Sequence, residues 1–365
     1  KKSISEVKKA SSKYPNHKIF VTGCASQIDE KSFINLKNVK KIIDNKTKTQ
    51  PENYNSYPQK KIKQHDFPYL EQFSTNRSRA ILQIQQGCDH RCTFCIIPFG
   101  RGDSKSLSFE EICRRVTSIL KKGYKEITLT GIDLTSYGHD LPGNPKLGNI
   151  IKRLLYLYPD LKRLRLSSID PAEIDDDLLE LLLKERRLLP HVHLSIQSGD
   201  DMILKRMKRR HNTKQVLNFC YKIKSYRPEF TFGADVIVGF PTETDKHFSN
   251  TLKFIKSINF SNVHVFPFSA KEGTPAARMP QVEEKIIKAR ADILRKESKK
   301  ILLKKLNQII GKTGRILFES HRKSYSDEFF KVELIGKNSS DLQPGKVLNI
   351  KVITRNDDVL VAELI

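Results

Sequence analysis

Residues 79–95 read RAILQIQQGCDHRCTFC. A short apolar run ends at a glycine, and three cysteines follow within eight residues: Cys88, Cys92 and Cys95, in a C-x3-C-x2-C pattern with Phe94 just before the last. Thiolates are soft ligands that suit zinc or an iron–sulfur cluster. A structural zinc ion needs four ligands, and His90 offers a fourth, so a Cys3His zinc site stays open as the alternative. Zinc ligands usually arrive as two separated pairs, whereas these thiols share one tight loop. A 4Fe-4S cluster normally takes four thiolates, so three leave one iron open to another ligand. The loop therefore favours a cluster with a vacant iron.

Working outward, short β-rich runs alternate with helical ones. The predicted strands are RAILQIQQG, KEITLTG, LKRLRLSS, HVHLSIQSG, FGADVIVGF and NVHVFPFS. Between them lie FEEICRRVTSILKKG, NIIKRLLYLYP, EIDDDLLELLLKE, TKQVLNFCYKIKSY and ETDKHFSNTLKFIKSI, each with helical spacing of apolar residues. Strand–helix alternation with largely apolar strands predicts an α/β fold built on a parallel sheet covered by helices. Six such units suit a partial (β/α)6 barrel. The segments after the strands, among them TGIDLTSYG, SSIDPAE, QSGDD and GFPTET, are rich in Gly, Ser, Asp and Glu. They fall on the same side as the cysteines, where barrel enzymes build their sites.

The chain has 365 residues, room for two or three domains. Residues 1–65 open with an amphipathic helix and the strand-turn HKIFVTGCASQ, then pass into a polar, Lys/Asn-rich linker from residue 44. This part is expected to be an α/β remnant. The barrel is expected over 74–302, ending in a long basic helix over 281–306. From 303 to 365 short strands with Gly- and Asn-bearing turns predict a small β-barrel, an architecture that often binds RNA. Cys113 and Cys220 sit in helical stretches and read as structural thiols.

Lysine and arginine number 66 against 41 acidic residues, a net charge of +25. That excess points to a polyanionic partner, with nucleic acid first. A solvated surface of lysine-rich composition is the competing explanation. No apolar run approaches a membrane span and no signal peptide opens the sequence, so a cytoplasmic protein without membrane contact is expected.

The cysteine loop, placed after the first strand of a partial barrel, resembles the radical S-adenosylmethionine (SAM) superfamily. In that superfamily the open iron chelates SAM, and reduction of the cluster yields a 5′-deoxyadenosyl radical. VTGCASQ, QGCDHRCTFCIIPFGRG, LTGIDLTSYG, RLRLSSIDP, HVHLSIQSGDD and GADVIVGFPTET narrow the resemblance to the methylthiotransferases. These have an N-terminal cluster domain, a radical-SAM barrel and a C-terminal TRAM β-barrel. LKRMKRRH and HVFPFSAKEGTPAARMPQV are most similar to the branch that methylthiolates N6-threonylcarbamoyladenosine in tRNA. Sister branches act on isopentenyladenosine in tRNA or on a ribosomal-protein aspartate. The alternative from another class is a zinc-stabilised RNA-binding protein.

By resemblance, Cys88, Cys92 and Cys95 hold the 4Fe-4S cluster. SAM is expected against Gly131, Ser168, Ser195, Gln197 and Glu243, with Arg206 near its carboxylate. Arg101 is expected to order the cluster loop or reach an acidic partner. The family carries a second cluster, and Cys24 matches one of its three ligands. The other two are expected upstream of Lys1, so the sequence reads as a fragment lacking its first part. The stretch KRMKRRHNTK, with Arg209 and Arg210, is expected to grip the tRNA backbone. An external electron donor is implied, as is a sulfur source that the residues do not identify.

Overall fold

The computed structural model describes residues 2–45, 47–48, 50–54, 78–320, 322–336 and 342–365. Most of the expected linker lies outside them, as do the expected boundaries at 65 and 74. The N-terminal unit runs α1 (Lys2–Lys13), β1 (Ile19–Thr22), α2 (Cys24–Ile28), α3 (Glu30–Ile34) and β2 (Val39–Ile43), with β1 and β2 paired in parallel.

The central unit starts with β3 (Ala80–Gln83) and the short β4 (Gln85–Gln86). The cysteine loop, α4 (Ile97–Arg101) and β5 (Lys105–Ser106) come next, and β5 returns antiparallel to β4. Then follow α5 (Phe109–Lys121), β6 (Glu126–Thr130), α6 (Leu147–Leu157), β7 (Arg163–Leu166), β8 (Ser168–Ile169) and α7 (Asp176–Lys184). After β9 (His191–Gln197) the chain forms α8 (Asp201–Arg206), α9 (Thr213–Tyr226), β10 (Thr231–Val238), α10 (Asp245–Ile258) and β11 (Asn262–Pro267).

β7 and β8 are one strand interrupted at Ser167. Through that joint the parallel order is β3-β6-β7/β8-β9-β10-β11, six strands curled around a common interior. Strand β9 shows how the sequence builds the curl. Val192, Leu194 and Ile196 are buried under the helices, while His191, His193, Ser195 and Gln197 alternate with them on the inner face. On α5, Ile112, Val116 and Ile119 recur at helical spacing and are fully buried, each contributing roughly 1.5–3 kcal/mol of apolar burial. Asn212 and Thr244 cap α9 and α10 with reciprocal side-chain bonds, so these helices start where the strand-end loops release the chain.

Helix α11 (Glu284–Asn307) runs unbroken through the expected boundary at 302/303. Ala291 and Leu294 pack into the central core, whereas Leu302 and Leu306 pack into the core of the next unit. The helix is thus shared, and one continuous hydrogen-bonded rod replaces a linker. The C-terminal strands β12 (Thr313–Ser320), β13 (Lys323–Ser326), β14 (Lys331–Leu334), β15 (Val347–Asn356) and β16 (Val359–Leu364) form a closed barrel. β13, paired with β12 and β14, completes the closure. Among the described residues no helix is long and apolar enough to cross a membrane.

Candidate active site

The cysteine loop is stitched to the C-terminal rim of the sheet by its own backbone. Cys88 N–H donates to Gly102 O (3.1 Å), Cys95 N–H to Cys92 O (3.0 Å) and Thr93 N–H to Met207 O (3.1 Å). Thr93 Oγ1 donates to Arg206 O at 2.8 Å. Gly87 enters the loop at φ +69°, and a Cβ there would lie 1.9 Å from Asp103 O, so no other residue fits. Phe94 packs edge-on to Phe240 with centroids 6.4 Å apart, which explains an aromatic residue just before the last cysteine.

Cys88, Cys92 and Cys95 line one small pocket of about 150 Å³ with Ser168, Ser195, Gln197, Asp133, Asp170 and Arg209. All three thiols are unpaired and half-buried. Burial, joined by the nearby Asp133 carboxylate, pushes the Cys88 thiol up to about 12, and burial also raises Cys95. Thiolates in such surroundings need a local positive charge, which bound iron supplies. The donor set therefore fits an iron–sulfur cluster with SAM. His90 lines the same pocket, with Nε2 2.7 Å from Asp133 Oδ2. Hydrogen bonds to Asp133 and Glu173 push its imidazole up to about 9, and its ring nitrogen, the Cys88 Sγ and an Asp133 oxygen lie within 4.8 Å of one another.

The structure separates the residues expected near SAM. Ser168, Ser195 and Gln197 line the pocket with the cysteines. Gln197 ends β9 at φ +67°, a strained conformation for a non-glycine residue. Gly131, Arg206 and Glu243 do not line it. A Cβ at Gly131 would lie 2.7 Å from Gln85 Oε1, so the glycine makes way for the Gln85 amide. That amide ties the rim together, accepting from Asp133 N–H (2.8 Å) and donating to Gly87 O (3.0 Å). Arg206 Nη1 donates to Thr242 Oγ1 at 2.7 Å and is turned away from the pocket. Glu243 is buried, accepts from Gly239 N–H at 2.9 Å and pairs with Arg290 at 2.9 Å. Burial raises its carboxyl and Arg290 only partly offsets this.

Arg209, and not Arg206, lines the pocket. Its guanidinium donates to Asp170 Oδ2 (2.7 Å) and Ser195 O (2.7 Å), with Nη1 3.6 Å from Cys92 Sγ. Burial would raise the Asp170 carboxyl, but His211 and Arg209 hold it well below the usual carboxylate range. Arg210 bonds Glu173 and lies 2.6 Å from His90 Nε2. Arg209 and Arg210, expected to grip a nucleic-acid backbone, are both bonded to local carboxylates, and Arg210 keeps 39% of its side chain exposed. Lys205, Lys208 and Lys214 of the same stretch remain exposed. Arg101 ends α4 exposed to solvent.

Gln85, Asp133 and Asp170 were not singled out from the sequence. Asp133 and Asp170 each follow an isoleucine just past a strand end, in GID and SID, and that recurrence was the available signal. Cys24 starts α2, which packs on α4 just beyond the cluster loop. Asn45 bridges the two, donating to Gly100 O at 2.8 Å with its Nδ2 3.8 Å from Cys24 Sγ.

A three-thiol loop on the rim of a six-stranded partial barrel defines the radical SAM class, and the Radical SAM superfamily model matches residues 82–255. The chain is 46% identical over 341 residues to the threonylcarbamoyladenosine tRNA methylthiotransferase MtaB of Rickettsia prowazekii, covering 92% of this chain and 81% of that protein. The enzyme of the same name from Thermotoga maritima is 32% identical, with coverage of 94% and 82%. A tRNA-2-methylthio-N(6)-dimethylallyladenosine synthase from Neorickettsia sennetsu is 35% identical, with coverage of 82% and 67%. The chain belongs to the radical SAM tRNA methylthiotransferase family. That membership replaces the zinc-stabilised RNA-binding alternative with an enzyme.

Proposed function

We infer that the protein adds a methylthio group to C2 of N6-threonylcarbamoyladenosine in tRNA, in the cytoplasm. One observation carries this reading: a relative with that activity in its name is 46% identical over 92% of this chain. The charge of +25 favours a tRNA substrate over a protein one.

Cys88, Cys92 and Cys95 would hold the 4Fe-4S cluster and leave one iron for SAM. When bound, cluster and SAM supply the radical that removes an unactivated ring hydrogen, chemistry that no side chain here provides. The chain's own residues position and shield. Ser168, Ser195 and Gln197 offer hydrogen-bonding groups along the pocket wall. Arg209, already fixed by Asp170, is placed to meet the SAM carboxylate, and a guanidinium suits that task. Glu243 with Arg290, and Arg206 with Thr242, fix the loop after β10. Gly131 keeps room for the Gln85 amide.

Cys24 would give one thiolate to a second cluster serving sulfur insertion. Its place on α2, against the helix that follows Cys95, supports this assignment. The small C-terminal barrel is the proposed TRAM-type tRNA-binding unit, and an external donor supplies electrons.

The test is nucleoside mass spectrometry of tRNA from a host lacking its own enzyme and expressing this gene. Appearance of the 2-methylthio derivative of threonylcarbamoyladenosine is the expected result. A methylthiolated isopentenyladenosine instead would move the protein to the sister branch. No modified nucleoside, from protein with a full cluster complement, would overturn the reading.

A further inference from the structure

Away from the cysteine loop, three ionisable side chains meet on the inner face of the sheet. His193 comes from β9, Asp235 from β10 and His264 from β11, three neighbouring parallel strands. Strand register fixes the meeting. Asp235 pairs with His264, and His193 pairs with Gly233, which precedes Asp235 on the same face of β10. Gly233 makes the approach possible. A Cβ there would lie 2.4 Å from His193 Nδ1, so a bare backbone lets the His193 ring lean over β10 and reach Asp235.

Two imidazole nitrogens thereby converge on one carboxylate oxygen. His193 Nε2 lies 2.9 Å and His264 Nδ1 3.2 Å from Asp235 Oδ1. One donor atom from each of the three residues lies within 4.8 Å of the others. Donor atoms bound to one ion at about 2.0–2.2 Å stand roughly 2.8–3.6 Å apart in an octahedral or tetrahedral shell. Both measured separations fall in that range. The charges agree with a cation here. Glu126, Asp170 and Glu243 each take an arginine, whereas Asp235, among the described residues, pairs only with the two imidazoles. Asn262 Nδ2 lies 3.1 Å from His264 Nε2, the outer contact that orients a metal-bound imidazole. His193 and His264 also line a cavity of about 670 Å³, and the His264 side chain is 53% exposed, so an ion has a way in.

We propose that His193, Asp235 and His264 form a site for a divalent transition-metal ion of the zinc class, separate from the cluster on the cysteine loop. Two imidazoles and a carboxylate are a donor set that suits such ions, and three protein ligands leave at least one position open. That position faces the cavity, where water or another oxygen donor completes the shell. With protons in place of the ion, the same three groups make the two hydrogen bonds between them. The ligands stand on strands rather than loops, so the site is held by the sheet itself. It does not depend on which nucleoside the protein modifies.

The experiment uses the cluster-reconstituted full chain, whose cysteine loop is filled by iron and does not compete for zinc. Calorimetric titration with Zn²⁺, and zinc retained after gel filtration, should show about one ion per chain in the wild type. His264→Ala, at the exposed edge of the group, should weaken zinc binding roughly 100-fold or more, since even the outer partners of metal ligands are worth about 10- to 100-fold. Asp235→Asn keeps the side-chain shape, removes the anionic donor and should lose binding to a similar extent. Asn262→Ala should cost about tenfold. Zinc K-edge X-ray absorption on the wild type should show nitrogen and oxygen donors with imidazole scattering and no sulfur. Sulfur in the shell would put the zinc on a cysteine and overturn the proposal. So would a wild type that retains no zinc, or variants that bind it equally well. Unchanged iron per chain shows that a variant keeps its fold. Should His264→Ala fail that check, the absorption spectrum of the wild type decides alone.

Discussion

The two ends of the six-stranded sheet hold ionisable groups in opposite ways. At the cysteine rim, charges are arranged around an opening. Arg209, Asp170, Asp133, His90 and Glu173 contact one another, but the three thiols between them face a pocket. At the other end charges are closed off completely. Glu126 is 1% exposed and pairs with Arg163 at 2.9 Å and Arg165 at 3.0 Å, while Arg163 also reaches Asp327 of the C-terminal barrel. Burial pushes the Glu126 carboxyl up, but Arg165 and Arg163 outweigh it and hold it below the usual range. The thiols of the rim face an open pocket, whereas Glu126, Arg163, Arg165 and Asp327 pair with one another at the floor. One end is built for chemistry and the other for docking a second unit.

The sharpest way to break this contrast is to remove a ligand from the rim. Cys92→Ala should abolish tRNA methylthiolation and remove the barrel cluster's iron, about four atoms per chain after anaerobic reconstitution. Cys24→Ala should leave those irons in place. Thermal stability should change far less than iron content, because the loop is held by backbone bonds and Phe94. A variant that keeps its iron would refute the ligand assignment.

The floor should respond the other way. Glu126→Ala leaves two buried guanidiniums without their carboxylate, and breaking a buried pair typically costs about 3–5 kcal/mol. Denaturant midpoints should fall accordingly, while iron per folded chain stays unchanged. A loss under 1 kcal/mol would mean that Asp327 and solvent replace Glu126 readily.

A finer cut lies within the rim. Arg209→Ala should weaken SAM binding about 10- to 100-fold, the range for a lost charged hydrogen-bond partner, and leave the affinity for tRNA nearly unchanged. Arg210→Ala should do less, because its guanidinium is 39% exposed and holds Glu173 rather than the pocket wall. Equal effects on tRNA and SAM would return both arginines to a backbone-binding role. Equilibrium dialysis with SAM and filter binding with tRNA separate these outcomes.

The rim was legible in the sequence because its ligands are adjacent in it. Cys88, Cys92 and Cys95 occupy one loop, and the strand-helix alternation placed that loop on the right face. Ser168, Ser195 and Gln197 were expected near SAM by resemblance alone; they lie on β8 and β9 and line the cysteine pocket. Arg206 and Arg209 lie on and just past the short helix α8, and three residues turn a side chain from Thr242 to Asp170. No sequence pattern links Glu126, Arg163, Arg165 and Asp327, whose contact depends on how the C-terminal barrel docks. Arg163 and Arg165 alternate on an apolar strand, and two arginines with that period were the only local hint that the inner face ends in charge. The shared helix α11 was hidden for a related reason. Its apolar residues look continuous, although they serve two cores in turn.

Lys305 lies where those two cores meet, and it sharpens the comparison because it has neither an opening nor a partner. Burial, with Lys224 beside it, brings its ammonium down to about 7. Cys220 is the other ionisable neighbour, and burial pushes that thiol up, so it supplies no counter-charge near neutrality. In the unfolded chain the same lysine titrates near 10.4. Between about pH 7 and 10 the unfolded state therefore binds a proton that the folded state releases, and stability rises with pH across that window. Below pH 7 both states are protonated and the penalty is constant. Relative to Lys305→Met, the wild type should gain about 2 kcal/mol between pH 7 and 9, and the variant should be the more stable at pH 7. Urea midpoints at both pH values measure this. Parallel profiles would mean that Lys305 reaches water, and that the junction between the barrels is looser than the floor it adjoins.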